Sequence, residues 1–459
     1  MKHSLLFLLT ALLLSFTATA QECIRFSIND RSELPQVSRA VSIDRVDGTT
    51  VTAYANKEEL QMLEALGYSY ERVQLPTPKV LNMATTVAEM YQWNRYPTYD
   101  TYVAMMQQFA ADHPTHCLLD TIGYSVNNRL ILCAHITSGS LTDLYRPQFF
   151  YSSTMHGDEV TGFYLMLRLI DTLLKGYGNN EYITRLIDEN EIYINPLSNP
   201  DGTYYRGNHT VQGSQRYNAN WVDLNRNYPD PFGTDPLNAQ QQENTYMIDY
   251  LSNHSFVMSA NLHGGSEVLN FPWDSYTSSQ QRHPQYDWWV TVCQRFMDTV
   301  RNHTNSHFHD VNNQGYIAGG DWYVIPNGRQ DYVNYYHNCL EMTMELSTDK
   351  TLSTDRLDNY WSFEGPALIS YIYEAASAPN HHQSIEQPTL GDRTLTVYPN
   401  PTRDVVFIEP SDGGFLLDIY GHRVLTVDLG ANTIDLRPLP AGVYLYVSQG
   451  RTARIVKQQ

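Results

Sequence analysis

Residues 151–160 read YSSTMHGDEV and set His156 and Glu159 three positions apart. Imidazole nitrogen and carboxylate oxygen are donors that a catalytic zinc takes, three from the protein with a fourth position open for water. His156 is the only one of the 16 histidines with a glutamate at that spacing. The chain has no H-E-x-x-H, which excludes the helix-borne zinc protease site. A third ligand must come from elsewhere, and His263 in SANLHGGSE is the candidate. It ends a strand-like apolar run, and Gly264-Gly265 behind it let backbone approach whatever it binds. Together the three form a two-His, one-carboxylate set for one Zn²⁺ per chain.

Other groups suit work beside such a metal. QRYNANWVDLNRNYPD carries Arg216 and, nine and ten residues on, Asn225 and Arg226. A guanidinium grips a carboxylate through two parallel hydrogen bonds, which suits Arg226 to a substrate carboxylate. Arg216 could instead polarise a carbonyl and stabilise its oxyanion. CLEMTMELS presents Glu341 and Glu345 in an otherwise apolar strand. Carboxylates there are costly unless paired or close to a cation. Strand alternation puts both on one face, so both could simply be paired, or one could serve a metal-activated water as general base.

These groups need elements to position them. PQFFYSST is a strand running into HGDE, and VTGFYLMLRLIDTLL after it has helical periodicity. EIYINPLS, FVMSANLH and CLEMTMELS read as further buried strands. The alternation from about residue 88 to 376 predicts an α/β fold, with a central mixed, mostly parallel β-sheet flanked by helices. Such sheets hold ligands beyond the carboxyl ends of their strands. Before it, residues 21–80 read as a small N-terminal α/β unit. AVSIDRVDGTTVTAYA is a hairpin turning at Asp47-Gly48, and YSYERV offers another strand. Between them NKEELQMLEALG is a helix with Asn56 as N-cap, Glu59 completing a capping box and Gly67 as its stop. Residues 377–392 are a linker by composition, in which His381-His382 read as solvated. Residues 393–459, short alternating strands between Gly, Pro and Asn turns, predict a C-terminal β-sandwich.

A chain of 459 residues predicts two or three domains, and a formal charge of −19 argues against a nucleic-acid partner. MKHSLLFLLTALLLSFTATA reads as a secretory signal peptide over residues 1–20, with an A-x-A cleavage site before Gln21. No later segment approaches the roughly 18 apolar residues of a membrane span, so no transmembrane segment is expected. Five cysteines are too few for a disulfide scaffold. Cys117 and Cys133 flank a predicted turn, where a cross-strand disulfide or two buried thiols would fit equally.

With these motifs on view the sequence resembles the zinc carboxypeptidases (the funnelin family), and specifically their regulatory branch. HGDE, SNPDG, RYNANWVDLNRNYPD, NLHGGSEVLNFPWD, DWYVIPNGRQDY and NCLEMTMELS occur in family order between MYQWNRYPTYDTYVAMM and FEGPALISYIYEAA. The resemblance implies that His156, Glu159 and His263 hold zinc and that Arg216 polarises the scissile carbonyl. It further implies that Asn225 and Arg226 anchor the free C-terminal carboxylate of a peptide or protein substrate, that Tyr323 caps the substrate, and that Glu345 is the catalytic glutamate. Glu341 is left with no catalytic role. Asp274, eleven residues after His263, and Gln330 match the branch's groups for a C-terminal Lys or Arg.

There are departures. Asp158 replaces the family's Asn and adds negative charge near the metal. Arg329 stands where the family has a neutral residue, and if turned into the pocket it would neutralise Asp274. In place of the branch's transthyretin-like domain, the tail resembles the sorting domain of the type IX secretion system, on LTVYPNPTRDVVFI, LRPLPAGVYLYV and ARIVKQQ. With the signal peptide this implies export through the periplasm to the surface or exterior of a Gram-negative bacterium, with the type IX machinery as partner. The expected function is a secreted zinc metallocarboxypeptidase. One alternative keeps the fold and takes cell-wall peptides, motivated by Asp158, Arg329 and the export signals; the other is an inactive surface binding protein. Residues 21–80 would be a propeptide over the crevice or a permanent domain.

Overall fold

The computed structural model describes residues 22–74, 81–138, 146–233, 236, 238–379, 397–408, 412–418, 423–448 and 451–458. The expected signal peptide and residues 380–392 of the expected linker, with His381-His382, lie outside the described residues.

Four strands open the chain: β1 (Glu22–Ser27), β2 (Ser42–Asp47), β3 (Thr50–Ala55) and β4 (Glu71–Arg72). They form an antiparallel sheet in the order β2-β3-β1-β4. β2 and β3 are the predicted hairpin, turned at Gly48 with φ +60°, a left-handed conformation that favours glycine. The predicted helix is Lys57–Ala65, and its capping box is formed: the Asn56 side chain accepts from the Glu59 N–H while the Glu59 carboxylate accepts from the Asn56 N–H. With the helix Leu34–Ala40 it buries Leu34, Val37, Leu60 and Leu63 against Ile24, Phe26, Ile43 and Val51. Val268, Trp322, Tyr323 and Ile325, from the next unit, complete that core.

Two short strands, β5 (Met83–Ala84) and β6 (Tyr96–Pro97), pair in parallel before the main sheet. The main sheet has eight strands: β7 (Cys117–Tyr124), β8 (Leu130–Ile136), β9 (Gln148–Ser153), β10 (Glu191–Asn195), β11 (Phe256–His263), β12 (Ser266–Phe271), β13 (Tyr316–Ala318) and β14 (Leu340–Ser347). Their order is β13-β12-β14-β11-β9-β10-β8-β7. The central run β14-β11-β9-β10 is parallel, as is β12-β13, and the remaining pairs are antiparallel. Helices cover both faces. On β9, Phe149 and Tyr151 join the core of the helices Thr161–Gly176, Tyr286–Arg301 and Leu357–Tyr373. Phe150 between them joins a second core with Met247, Leu251 and Val333. That double burial explains why these strands read as continuous apolar runs.

The register matters for the site. Leu262 of β11 pairs with Ser153 of β9, and His263 pairs with Glu345 of β14. The carboxyl ends of three neighbouring parallel strands thus meet where the motifs lie, as expected of such sheets.

All five cysteines are free and buried. In the β7–β8 ladder Cys117 faces Ile136 and Cys133 faces Asp120, so of the two arrangements the sequence allowed there, the buried thiols hold. In the tail, two sheets of three and four strands enclose Val406, Ile408, Leu416, Ile434, Leu436, Tyr446 and Ile455. Among the described residues no helix is long and apolar enough to cross a membrane.

Candidate active site

The chain turns at Thr154 (φ +61°) directly after β9 and presents His156 and Glu159 before the helix Thr161–Gly176 begins. Gly157 allows this loop to touch the next one, because a Cβ there would stand 2.5 Å from the Gly202 Cα. Asn199 ties the two together: its amide donates to the carbonyls of Met155 (3.0 Å) and Arg216 (3.3 Å).

His156, Glu159 and His263 are all buried, with one ligand atom from each within 4.8 Å of the others. The two Nδ1 atoms lie 3.0 Å apart, and the Glu159 carboxylate reaches His156 Nδ1 at 3.0 Å and His263 Nδ1 at 2.8 Å. Zinc bonds of about 2.0–2.1 Å place tetrahedral neighbours about 3.3 Å apart, so these donors fit the ion closely. Burial brings the His263 imidazole down to about 4, which leaves it neutral, the form a metal needs. Burial favours protonation of Glu159, but His156, Lys350 and His263 outweigh it and hold the carboxyl well below the usual range. Behind His156, its Nε2 meets Asp223 Oδ1 at 3.0 Å, the outer contact that fixes a ligand's tautomer and orientation.

Glu345 lines the same cavity, and its Oε2 is buried with no hydrogen-bond partner among the described residues. Arg216 Nη1 stands 3.1 Å from Glu159, and its Nε donates to Asp223 at 3.1 Å. Asn225 is held by the Arg329 N–H on its Oδ1 (2.9 Å). Arg226 gives Nη1 to the Asn225 carbonyl, while Nε and Nη2 are buried with no partner among the described residues. Buried orphan donors are rare, and this pair is oriented for a bidentate acceptor. Asp274, Gln330 and Tyr323 complete the set. Asp274 accepts from Gln330 Nε2 at 2.7 Å, and Tyr323 follows the short helix Gly319–Trp322. Burial and the nearby Asp331 carboxylate push the Asp274 carboxyl up. Every expected site residue except Gln330 lines one small cavity, and Gln330 touches it through Asp274.

Residues 102–364 match the protein family described as zinc carboxypeptidase, and residues 396–459 match the secretion system C-terminal sorting domain. The chain belongs to the zinc carboxypeptidase family. It is similar to carboxypeptidase D of Anas platyrhynchos, 31% identical over 323 residues that cover 66% of this chain and 22% of that protein. It is also similar to carboxypeptidase M of Mus musculus, 32% identical over 300 residues, 61% of this chain and 65% of that protein. The match thus spans about a fifth of the first relative's length. In fold it is similar to a crystal structure of carboxypeptidase A from Helicoverpa armigera, with a TM-score of 0.59, 16% identity, and coverage of 79% of this chain and 98% of that one.

Arg329 does not enter the pocket. Its Nη1 donates to Ser152 Oγ (2.6 Å), its Nη2 meets Glu341 (3.0 Å), and its guanidinium lies 5.2 Å from the Phe150 ring. Asp274 is therefore not neutralised by it, and Glu341 has its partner. Both side chains of the pair are fully buried. Removing one partner strands the other, so Arg329→Met is expected to cost about 3–5 kcal/mol in denaturant unfolding; a loss under about 1 kcal/mol would contradict this role.

Three residues beside the site escaped the sequence reading. Asp223 serves His156 and Arg216 together; burial would raise its carboxyl, but the Arg216 guanidinium and the hydrogen bond to His156 hold it well below the usual range. Its signal was the aspartate two places before Asn225. Lys350 reaches Glu159 at 3.3 Å and Asp158 at 3.4 Å, which offsets the charge that Asp158 adds. Asp44 comes from β2, and no sequence signal marks it. Its Oδ1 meets Lys350 Nζ at 2.6 Å.

β2 lies over the cavity. Ser42 Oγ accepts from Arg216 Nε at 2.7 Å and donates to Asp223, while Ile43 and Asp44 line the cavity itself. The cavity keeps about 20 Å³ of free room, enough for one water and not for a peptide side chain.

Proposed function

We propose that this protein is a secreted zinc carboxypeptidase that removes single C-terminal residues, preferring Lys or Arg. The observation that carries the reading is the convergence of His156, Glu159 and His263 beside Glu345, with the unpartnered Arg226 donors in the same cavity.

Zinc, when bound, supplies a Lewis acid for the scissile carbonyl and a water of lowered pKa. The chain's own residues do the rest. Arg226, with Asn225, takes the free carboxylate and so restricts cleavage to the last peptide bond. Glu345 accepts the proton of the attacking water and returns it to the leaving amine. Arg216 stabilises the oxyanion as it forms. Tyr323 covers the bound residue and excludes water. His156 is kept in its tautomer by Asp223.

For the side chain, Asp274 supports a cationic preference. It is a buried carboxylate that burial and Asp331 both destabilise, and a Lys or Arg side chain relieves it. With Arg329 turned into the core, one motive for cell-wall substrates falls away. Asp274→Asn is expected to lower kcat/KM for peptides ending in Arg by a factor of about 30, roughly 2 kcal/mol, because the substrate cation loses its partner. Peptides ending in Leu should change by less than about threefold. Equal losses for both would contradict the assignment.

The matched sorting domain supports export through the type IX system to the cell surface or beyond, with the tail removed afterwards. The N-terminal unit supports a further reading: residues 21–80 are a propeptide whose strand β2 keeps the enzyme latent.

A further inference from the structure

The strand that covers the site does so with one specific group. β2 pairs with β3 in regular register except between Ile43 and Arg45, where the ladder shifts and leaves Asp44 as the extra residue. A bulge of this kind re-aims a side chain. The re-aimed Asp44 carboxylate enters a notch walled by Lys350 (2.6 Å) and Arg216 (4.0 Å), and the Tyr54 ring caps the Lys350 ammonium at 4.5 Å. With β2 and β3 in place the Lys350 side chain is only 15% exposed.

An ammonium has three donors, and Lys350 has three carboxylate neighbours: Asp44, Asp158 and Glu159. Asp44 is the nearest and the only one that belongs to the covering unit. When that unit leaves, Asp44 and Tyr54 leave together, and one donor of a largely buried cation is left facing the crevice. An acidic side chain there would restore the charge-assisted hydrogen bond that Asp44 makes, which a neutral side chain cannot do, so the notch favours a carboxylate.

The groups for the last residue of a substrate are Asn225, Arg226 and Asp274. Lys350 stands instead against Glu159 and Asp158, so a carboxylate in the notch belongs to the substrate before the cut bond. We propose that Lys350, with Arg216, forms a subsite for an acidic side chain one or two residues upstream of the scissile bond, and that Asp44 is its built-in occupant. The inference rests on the carboxypeptidase reading above, and it marks as preferred substrates peptides with Asp or Glu shortly before a C-terminal Lys or Arg.

The test uses the full chain carrying Glu345→Gln, so that peptides are not consumed, with a protease site placed between residues 75 and 80 and a fluorophore on the N-terminal unit. After folding and cutting, peptides ending in Lys are titrated in, and the concentration that releases half of the labelled unit is read. Peptides with Glu at either upstream position are expected to release it at about a tenfold lower concentration than the same peptides with Gln. Lys350→Met should erase that difference and Lys350→Arg should keep it, with metal content checked in each. Glu and Gln peptides acting alike, or a difference that survives Lys350→Met, would overturn the subsite. Turnover by the cut protein with Glu345 intact is measured separately. Its failure, beside an intact Glu–Gln difference, would count against the carboxypeptidase reading and leave the subsite standing.

Discussion

Glu345→Gln is expected to lower kcat by a factor of about 10²–10⁴ while zinc stays bound, the range a positioned general base supplies. The substitution keeps the shape of the side chain and removes only the proton acceptor. Glu345 pairs in register with His263 across β14 and β11, so the strands that position the metal also position the base. Among the described residues its Oε2 has no other partner to occupy it. Glu341, two alternations earlier on the same strand, is the internal control. It is tied to Arg329, Ser259 and Asn261, and its replacement by Gln should act on stability and leave the chemistry of folded protein nearly unchanged. Kinetics and metal content measured on both variants check this. Turnover retained by Glu345→Gln, or a zinc-loaded Glu341→Gln that folds but is inactive, would contradict the division of roles.

The second large effect concerns the N-terminal unit. Cutting the full chain between residues 75 and 80 is expected to raise kcat/KM for a small peptide by at least about 100-fold. The open fraction of the uncut chain sets its apparent affinity, and a closed-to-open ratio of 100 needs only about 2.7 kcal/mol. The contacts suffice for that. Trp322, Tyr323 and Ile325 are buried in the core of the covering unit, each worth about 1.5–3 kcal/mol before the cost of docking. Ser42 and Asp44 add hydrogen bonds to Arg216, Asp223 and Lys350. Because Tyr323 belongs to that core, the unit also immobilises the residue proposed to close over substrate. Asp44→Lys sets an ammonium against Lys350 and Arg216, and the uncut variant should gain at least about tenfold in kcat/KM. Equal activity before and after cutting would make residues 21–80 a permanent domain that leaves the site open.

The sequence displayed most of the machinery because its groups lie in short runs with local meaning. HGDE follows a buried strand and MEL lies near the end of another, and strand alternation put Glu341 and Glu345 on one face, while LNR stands in a single helical turn between elements. What it hid is contact between distant segments. Ser42 lies 181 positions from Asp223 and 174 from Arg216, and no spacing rule spans such distances. Arg329 shows a different limit. Its neighbour Gln330 reaches Asp274, but consecutive helical residues point about 100° apart, which sends Arg329 to Ser152 and Glu341. The two arrangements open to Cys117 and Cys133 were separated only by ladder register, which leaves the pair out of step across β7 and β8.

The measurement that tests the central claim most directly is mass spectrometry of peptides ending in each amino acid, incubated with the cut, zinc-loaded protein with and without a chelator. Loss of single C-terminal Lys and Arg residues, abolished by the chelator, is expected. Internal cleavage, or no shortening of any peptide by protein shown to hold zinc, would contradict it.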